Sequence, residues 1–392
     1  MVVMRDGIIV LKTNNEIFTI ADFCMWMFMF LTFFSTSISS ATVVFRLRLI
    51  FLIIAGILGF TQLFFESIRN VRIIWFVLLC ISSWSISFML RCEGAYEPNL
   101  FLYSLLYMGV GINLTSHHHN DLFAGALFYT VCGITLFRLI VLNEPIRGFL
   151  KDGTSYNFIS VMLLLFLCYY CIELIQNNKP IPYLAALLFT LLCFIAYGRG
   201  GIITGVFFFV STFFSELNDP TCLYKKNTTK IVTILLAVIC VCAFSIYILE
   251  GNYSLFRSIF AKFYVGDNLQ ATRLDLWSSY IKEASLDITT MLFGADIDLF
   301  MDRNLHNAFL QMHSSLGLIP LIVLLYACTR LTMYAIKEKK LFLLCIMATM
   351  VIRSMTDKTA FQGYCEPMLY SFVFMWFNIT EKKRITCYDY RQ

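Results

Sequence analysis

A histidine, an asparagine and three arginines are the residues whose types and positions could do chemistry. His306 and Asn307 lie near the start of RNLHNAFLQMHSSLGLIPLIVLL, a stretch that begins polar and then becomes apolar. Arg199 lies between glycines in AYGRGGIITG, Arg273 lies in LQATRLDLWSSYIKEA, and Arg353 lies in VIRSMTDKTAFQG. A histidine can remove a proton from a hydroxyl, and a guanidinium group is a planar fork of donors that suits phosphate. These residue types predict transfer of a group from a diphosphate.

The chain that carries these residues has the composition of a membrane protein. Of its 392 residues, 59% are hydrophobic and 14% are charged, whereas soluble domains carry about 25% charged residues. So much apolar surface cannot be hidden around one aqueous core. The net charge of +5 is too small to indicate nucleic acid, so membrane lipid is the expected surrounding and partner.

Apolar segments of roughly 20 residues, enough to cross the hydrocarbon of a bilayer, recur along the chain. They predict an all-α polytopic integral membrane protein with about 12 transmembrane helices, in a range of 11–13. The predicted spans are 17–37, 49–65, 73–90, 99–115, 122–142, 157–176, 181–197, 200–215, 230–249, 308–329, 340–356 and 366–379. This pattern divides the chain into an N-terminal bundle of about nine spans at 1–249, a long loop at 250–305, and C-terminal spans with a tail at 306–392.

The long loop is predicted to face outward and to be folded. Dense lysine clusters are expected on the cytoplasmic side, which puts the N-terminus inside and the loop outside. Within the loop, 269–284 has helical periodicity. Its predicted apolar stripe is expected to rest on the membrane surface or on the spans beneath, and it consists of Ala271, Leu274, Trp277, Ile281 and Ala284. Arg273 lies four residues before Trp277 and therefore shares a face with it.

The tenth predicted span brings its polar residues to one face. His306, His313 and Gly317 are separated by seven and four residues, so they align along a helix. Gly317 allows a close approach, and Pro320 predicts a kink near Leu316. His306 either takes part in catalysis or only lies at the membrane–water interface. For His313, a bond to a neighbouring backbone group and a functional role both stay open.

The three arginines are predicted to form a basic pocket at the outer surface. Gly200 and Gly201 follow Arg199 and would let a ligand come close to the backbone; the alternative is an arginine that only ends a helix. Asp357 follows Arg353 by four residues. Such a pocket suits a lipid-linked diphosphate and needs no cofactor. The cluster SHHHND at 116–121 lacks the further ligands of a metal site, so no metal is expected.

Three motifs resemble the O-antigen polymerase and ligase superfamily in their order along the chain. They are GRGG, then TRLDLW with MLFGADID, then HN followed by nine residues and GLIP, over roughly 198–325. The resemblance implies that Arg199 and Arg273 hold the donor diphosphate and that His306 acts as, or positions, the base. Asn307, Gly200, Gly201 and Gly317 would support them. Pro320 departs from the family, which more often has a small or polar residue there.

The resemblance implies a multi-pass protein of the bacterial inner membrane with its active site facing the periplasm. The expected enzyme is an O-antigen polymerase, a glycosyltransferase whose donor and acceptor are undecaprenyl-diphosphate-linked glycans. It would use neither a nucleotide sugar nor an essential metal, and a chain-length regulator protein is a further partner to consider. An O-antigen ligase, which transfers the glycan to lipid A-core, is the first alternative. A transporter or flippase is the second, with Arg138 and Glu173 as its only charges away from the span ends.

Overall fold

The computed structural model describes most of the chain and shows a helical membrane protein. The described residues are 2–5, 8–13, 16–38, 42–65, 71–90, 98–116, 120–144, 149, 157–196, 198–217, 267–295 and 305–389. The predicted helical class is confirmed. A small antiparallel sheet precedes the helices, with strands β1 (Val2–Arg5), β2 (Ile8–Thr13) and β3 (Glu16–Thr19) in that order.

Fourteen α-helices lie within the described residues. They are α1 (Ile20–Phe33), α2 (Thr42–Phe65), α3 (Val71–Leu90), α4 (Pro98–Ser116), α5 (Asp121–Leu136), α6 (Asn157–Gln176), α7 (Tyr183–Ala196), α8 (Arg199–Leu217), α9 (Asp267–Ala284), α10 (Ile288–Phe293), α11 (Ala308–Leu316), α12 (Leu318–Lys337), α13 (Leu341–Thr356) and α14 (Glu366–Asp389). Helices α1 and α5 continue as π-helices at Phe34–Ile38 and Phe137–Val141, and a 3-10 turn occupies Lys358–Ala360.

Six of these helices are long and apolar enough to cross a membrane. They are the helices at Ile20–Ile38, Thr42–Leu63, Val71–Leu90, Asp121–Val141, Asn157–Gln176 and Leu318–Lys337. Three shorter apolar helices accompany them, at Tyr183–Ala196, Arg199–Ser215 and Leu341–Thr356. Each predicted span except the ninth overlaps a helix, and the ninth, 230–249, lies outside the described residues. The number of about 12 spans therefore stays a prediction.

Helix α6 lies at the centre of the bundle. Every residue from Ile159 to Leu174 is buried, and α5, α7, α8, α13 and α14 pack around it. A helix that is apolar on all sides is stable only when other helices cover all of it. Helices α2 and α4 meet outside this centre at glycines, since a Cβ atom on Gly59 would overlap the carbonyl of Gly109. Small residues let two membrane helices approach this closely.

The predicted tenth span is two helices rather than one kinked helix. Gly317 separates α11 from α12 with a φ of 80°, a left-handed conformation that glycine adopts without strain. A Cβ atom there would also overlap the carbonyl oxygen of Leu292, so the close approach predicted for Gly317 is made by α10. Pro320, expected to cause a kink, lies in the first turn of α12. Backbone N–H groups in the first turn have no acceptor within the helix, so the proline breaks no helical hydrogen bond. The break is therefore set by the glycine.

The predicted loop helix is confirmed as α9. Of its predicted stripe, Ala284 is buried, whereas Leu274 and Ile281 are 60% and 55% exposed within the protein. Tyr280, which the stripe did not include, is also buried, and its hydroxyl lies 2.6 Å from Nδ1 of His313 in α11. Hydrophobicity alone could not identify this contact, because Tyr280 is both large and polar.

Candidate functional site

Arg353 lies at one end of the bundle, which we call the site end: the end where α6, α8, α11 and α14 begin and α13 finishes. Its side chain is 1% exposed. Nη2 donates to the carbonyl of Asn157 at 3.3 Å and lies 3.5 Å from Oδ2 of Asp357. Nε and Nη1 are buried without a hydrogen-bond partner among the described residues. A buried donor without a partner is costly, so this guanidinium is suited to an additional acceptor.

Gly200 and Gly201 make room for side chains of the bundle. A Cβ atom on Gly200 would overlap Nη1 of Arg353, and one on Gly201 would overlap Oγ of Ser160. The sequence predicts that these glycines admit a ligand to the backbone. In the structure, Gly200 instead seats the guanidinium of Arg353 against the first turn of α8, and Gly201 lets α8 pack on α6.

Arg273 joins the loop helix to this cluster. Its Nη1 donates to the carbonyl of Thr356, the last residue of α13, at 3.1 Å. Burial lowers the pKa of Arg273, the nearby carboxylate of Asp357 raises it, and the nearby charge of Arg199 lowers it. Arg199 is the first residue of α8 and is half-buried. The three predicted arginines are therefore brought together: Arg273 and Arg353 both lie near Asp357, and Arg199 lies near Arg273.

Asp357 organises the turn that follows α13. Its Oδ1 accepts a hydrogen bond from the backbone N–H of Lys358 at 2.8 Å, which caps the 3-10 turn. Burial lowers the pKa of Lys358, and the charge of Asp357 raises it. This cluster combines Arg273, Arg353 and Lys358 with the carboxylate of Asp357, and Arg199 lies close to Arg273. Guanidinium groups gathered in a partly buried site favour an anion with several acceptor oxygens.

His306 is connected to the arginine cluster through α9 and lies on a constrained loop. Trp277 Nε1 donates to the carbonyl of Leu305 at 2.7 Å. Trp277 is one turn along α9 from Arg273, a rise of roughly 6 Å. Asn307 caps α11, because its Oδ1 accepts from the N–H groups of the second and third residues of that helix at 3.0 and 3.2 Å. Between them, His306 is half-buried and has a φ of 49°. Strained backbone of this kind often occurs at functional sites.

His313 is held by hydrogen bonds at both ring nitrogens. Nε2 lies 2.9 Å from the carbonyl of Met291, which can only accept, so Nε2 carries the proton. Nδ1 then accepts from the hydroxyl of Tyr280 at 2.6 Å. The ring is 8% exposed and ties α11 to α9 and α10. The structure therefore favours the backbone-bonding alternative for His313. Residues 117–119 of the other histidine cluster lie outside the described residues.

A buried polar network next to His306 was not predicted. Gln311 Oε1 accepts from the N–H of Leu305 at 3.2 Å, and its Nε2 donates to Gln362 Oε1 at 2.9 Å. Gln362 Nε2 donates to Ser315 at 2.8 Å, and its N–H donates to Oε2 of Glu366 at 3.1 Å. The network ties the loop of His306 to the start of α14. In the sequence, these residues are only an acid and amides near the ends of apolar segments. That pattern does not show which residues they contact.

The arrangement can hold an anionic group beside a histidine at the surface of an apolar bundle. Among the described residues, no three His, Cys, Asp or Glu side chains lie together so as to hold a metal ion.

Comparison with known protein families finds no family model that matches the chain, and comparison with curated proteins finds no matching relative.

Proposed function

We propose that this chain is an O-antigen polymerase, a glycosyltransferase of the bacterial inner membrane that joins undecaprenyl-diphosphate-linked repeat units at the periplasmic face. The observation that carries the proposal is the convergence of Arg199, Arg273 and Arg353 at one end of an apolar bundle. A lipid-linked diphosphate matches this arrangement, because its tail stays in hydrocarbon while its charged head reaches the bundle end.

The proposed reaction uses His306 as the base. His306 takes the proton of an acceptor hydroxyl, whose oxygen attacks the anomeric carbon of the donor glycan. The bond from that carbon to the diphosphate oxygen breaks, and its electron pair leaves with undecaprenyl diphosphate. The arginines stabilise the negative charge that develops on the leaving group, where fixed donors act more strongly than they do in water. The proton on His306 is then released to water.

Helix α9 supports the proposal because it fixes two of the participants relative to each other. Arg273 bonds the end of α13, Trp277 bonds the residue before His306, and Tyr280 bonds His313. These three bonds lie on consecutive turns of one helix. A base and a charge-stabilising group held by one rigid element need little rearrangement as the reaction proceeds.

The transporter alternative has less support from its two charged residues. Arg138 lies at the π-helical end of α5, where Nη2 is 2.6 Å from Oε2 of Glu144 and the guanidinium lies over the ring of Phe149. It therefore belongs to an ion pair at the site end. Glu173 is fully buried near the other end of α6. A coupled relay needs charges near the middle of the membrane, and these two residues are at opposite ends.

Deletion of the gene followed by gel analysis of lipopolysaccharide tests the proposal. A core with a single repeat unit is expected for a polymerase. Bare core with glycan retained on the lipid carrier would indicate the ligase instead, and an unchanged ladder would contradict both. In the complemented strain, Arg199→Ala should abolish long chains at normal protein level. Arg330→Ala is the matched control, because Arg330 is exposed and lies over Trp376, outside the cluster.

A further inference from the structure

A cavity adjoins the arginine cluster at Asp357 and Lys358, which both line it. It has a volume of about 460 Å³ and lies between the starts of α2, α4 and α6 and the turn before α14. Its walls include Tyr103, Tyr107 and Tyr364, and its other charged groups are Arg48 and Glu366. Small-molecule sites span roughly 300–1,000 Å³, so the cavity is large enough for a small ligand. We propose that it binds a saccharide, and specifically the acceptor sugar of the reaction proposed above, on which this assignment rests.

The aromatic wall suits the faces of sugar rings. Tyr103, Tyr107 and Tyr364 line one common space. Phe45 and Phe158 contribute two more rings to the lining. The C–H faces of a pyranose are apolar and stack on aromatic rings, and tyrosine adds a hydroxyl that can pair with the sugar.

The polar groups of the cavity match hydroxyls better than an anion or a lipid tail. Two carboxylates and two cationic side chains line it together with the amide of Gln362; they are Asp357, Glu366, Arg48 and Lys358. Carboxylates accept hydrogen bonds from hydroxyls, cationic side chains donate to them, and an amide can do both. Because the two acids balance the two cations, the lining has no net charge that would select an anion, and an acyl chain would leave its polar groups without partners.

Glu366 is held in place for such a role. It is 1% exposed, and its Oε1 accepts from the hydroxyls of Ser104 at 2.5 Å and Tyr370 at 3.2 Å. Its Oε2 accepts from the N–H of Gln362. Gln362 in turn bonds Gln311, which bonds the residue before His306. One continuous set of hydrogen bonds thus links the cavity to the loop of the proposed base.

The test measures saccharide binding without requiring turnover. The full chain in lipid nanodiscs is mixed with repeat-unit oligosaccharides released by mild acid from the lipid-linked pool of the host bacterium. Saturation-transfer difference NMR, with saturation of the aromatic protons, should show transfer to ring protons of the sugar. Tyr364→Ala should weaken binding by about tenfold, the upper range for loss of one aromatic contact. Tyr364→Phe, which keeps the ring, should retain most of the binding.

The controls distinguish a specific loss of saccharide binding from misfolding of the variant and from failure of the proposed function. Tyr326→Ala removes an exposed tyrosine of α12 outside the cavity and should bind like the unaltered chain. No transfer in the unaltered chain, or equal binding by Tyr364→Ala and Tyr326→Ala, would overturn the cavity assignment. Normal binding with an unchanged lipopolysaccharide ladder after gene deletion would instead overturn the polymerase proposal and leave saccharide recognition standing.

Discussion

His306 and His313 lie seven residues apart in one segment, but their burial and their surroundings in the structure differ. His313 is buried, and both of its ring nitrogens are used to join three helices. His306 is half-buried on a left-handed loop, between a tryptophan that fixes one side and an asparagine cap that fixes the other. A histidine whose two nitrogens are bonded within the protein cannot exchange a proton without breaking a structural contact. The comparison therefore assigns a structural role to His313 and leaves the proposed proton transfer at His306 to be tested by substitution.

The largest expected effect is on activity, from His306→Ala. Loss of a general base reduces a rate by roughly two to four orders of magnitude, so long chains should disappear from the lipopolysaccharide gel. Because His306 lies on a loop, the amount of membrane-inserted protein should stay normal on an immunoblot. A normal ladder from this variant would remove His306 from the mechanism, whatever the family of the protein.

Arg273→Ala should have the next largest effect on activity. Long chains should be lost because the leaving diphosphate is less well stabilised. Removal of one donor from a charge-stabilising site reduces a rate by about 10²–10³. Arg273→Lys keeps the charge but not the planar fork, and should recover only part of the polymer. Densitometry of the ladder measures both. Full recovery by lysine would indicate that Arg273 acts only as a positive charge.

His313→Ala should lower stability more than it affects chemistry. The change leaves the carbonyl of Met291 and the hydroxyl of Tyr280 without their partner, and it opens a small cavity. A penalty of about 2 kcal/mol is expected from one buried unsatisfied group. The apparent unfolding temperature of the purified protein in detergent should fall, while the folded fraction still forms polymer. Loss of all polymer from well-folded protein would reverse the roles of the two histidines.

Tyr280→Phe should have the smallest effect. It removes one hydrogen bond to His313 and keeps the ring, so a loss of about 1 kcal/mol in the free energy of unfolding is expected. Combined with His313→Ala, the two losses should be less than additive, because both remove the same bond. Strict additivity would show that the 2.6 Å contact contributes nothing to stability.

Local patterns predicted the helices well but not their long-range partners. Hydropathy located the helices, and spacing identified α9. The break at Gly317 was assigned to Pro320, because the carbonyl of Leu292 that requires a glycine is distant in sequence. The buried contact of Tyr280 with His313 was not predicted, because the two residues are 33 positions apart in the sequence.

The candidate site was predicted in the same uneven way. The arginines were found because charge is conspicuous at the ends of apolar segments. The sequence did not identify Glu366, Gln362 and Gln311 as members of a network. Each is a common polar residue, and its hydrogen-bond partners are distant in the sequence. The cavity between α2, α4 and α6 has no continuous motif in the sequence, because its lining comes from separate segments.

The fit between Gly200 and Arg353 has an evolutionary consequence. These positions lie on different helices, and any side chain at 200 would occupy the space of the guanidinium. In related chains, a change at one position should therefore be accompanied by a change at the other. Glycine at 200 should coincide with arginine at 353, and a larger residue at 200 with a shorter one at 353. Such paired variation would mark descent with this site intact, even where the surrounding apolar residues have diverged beyond recognition.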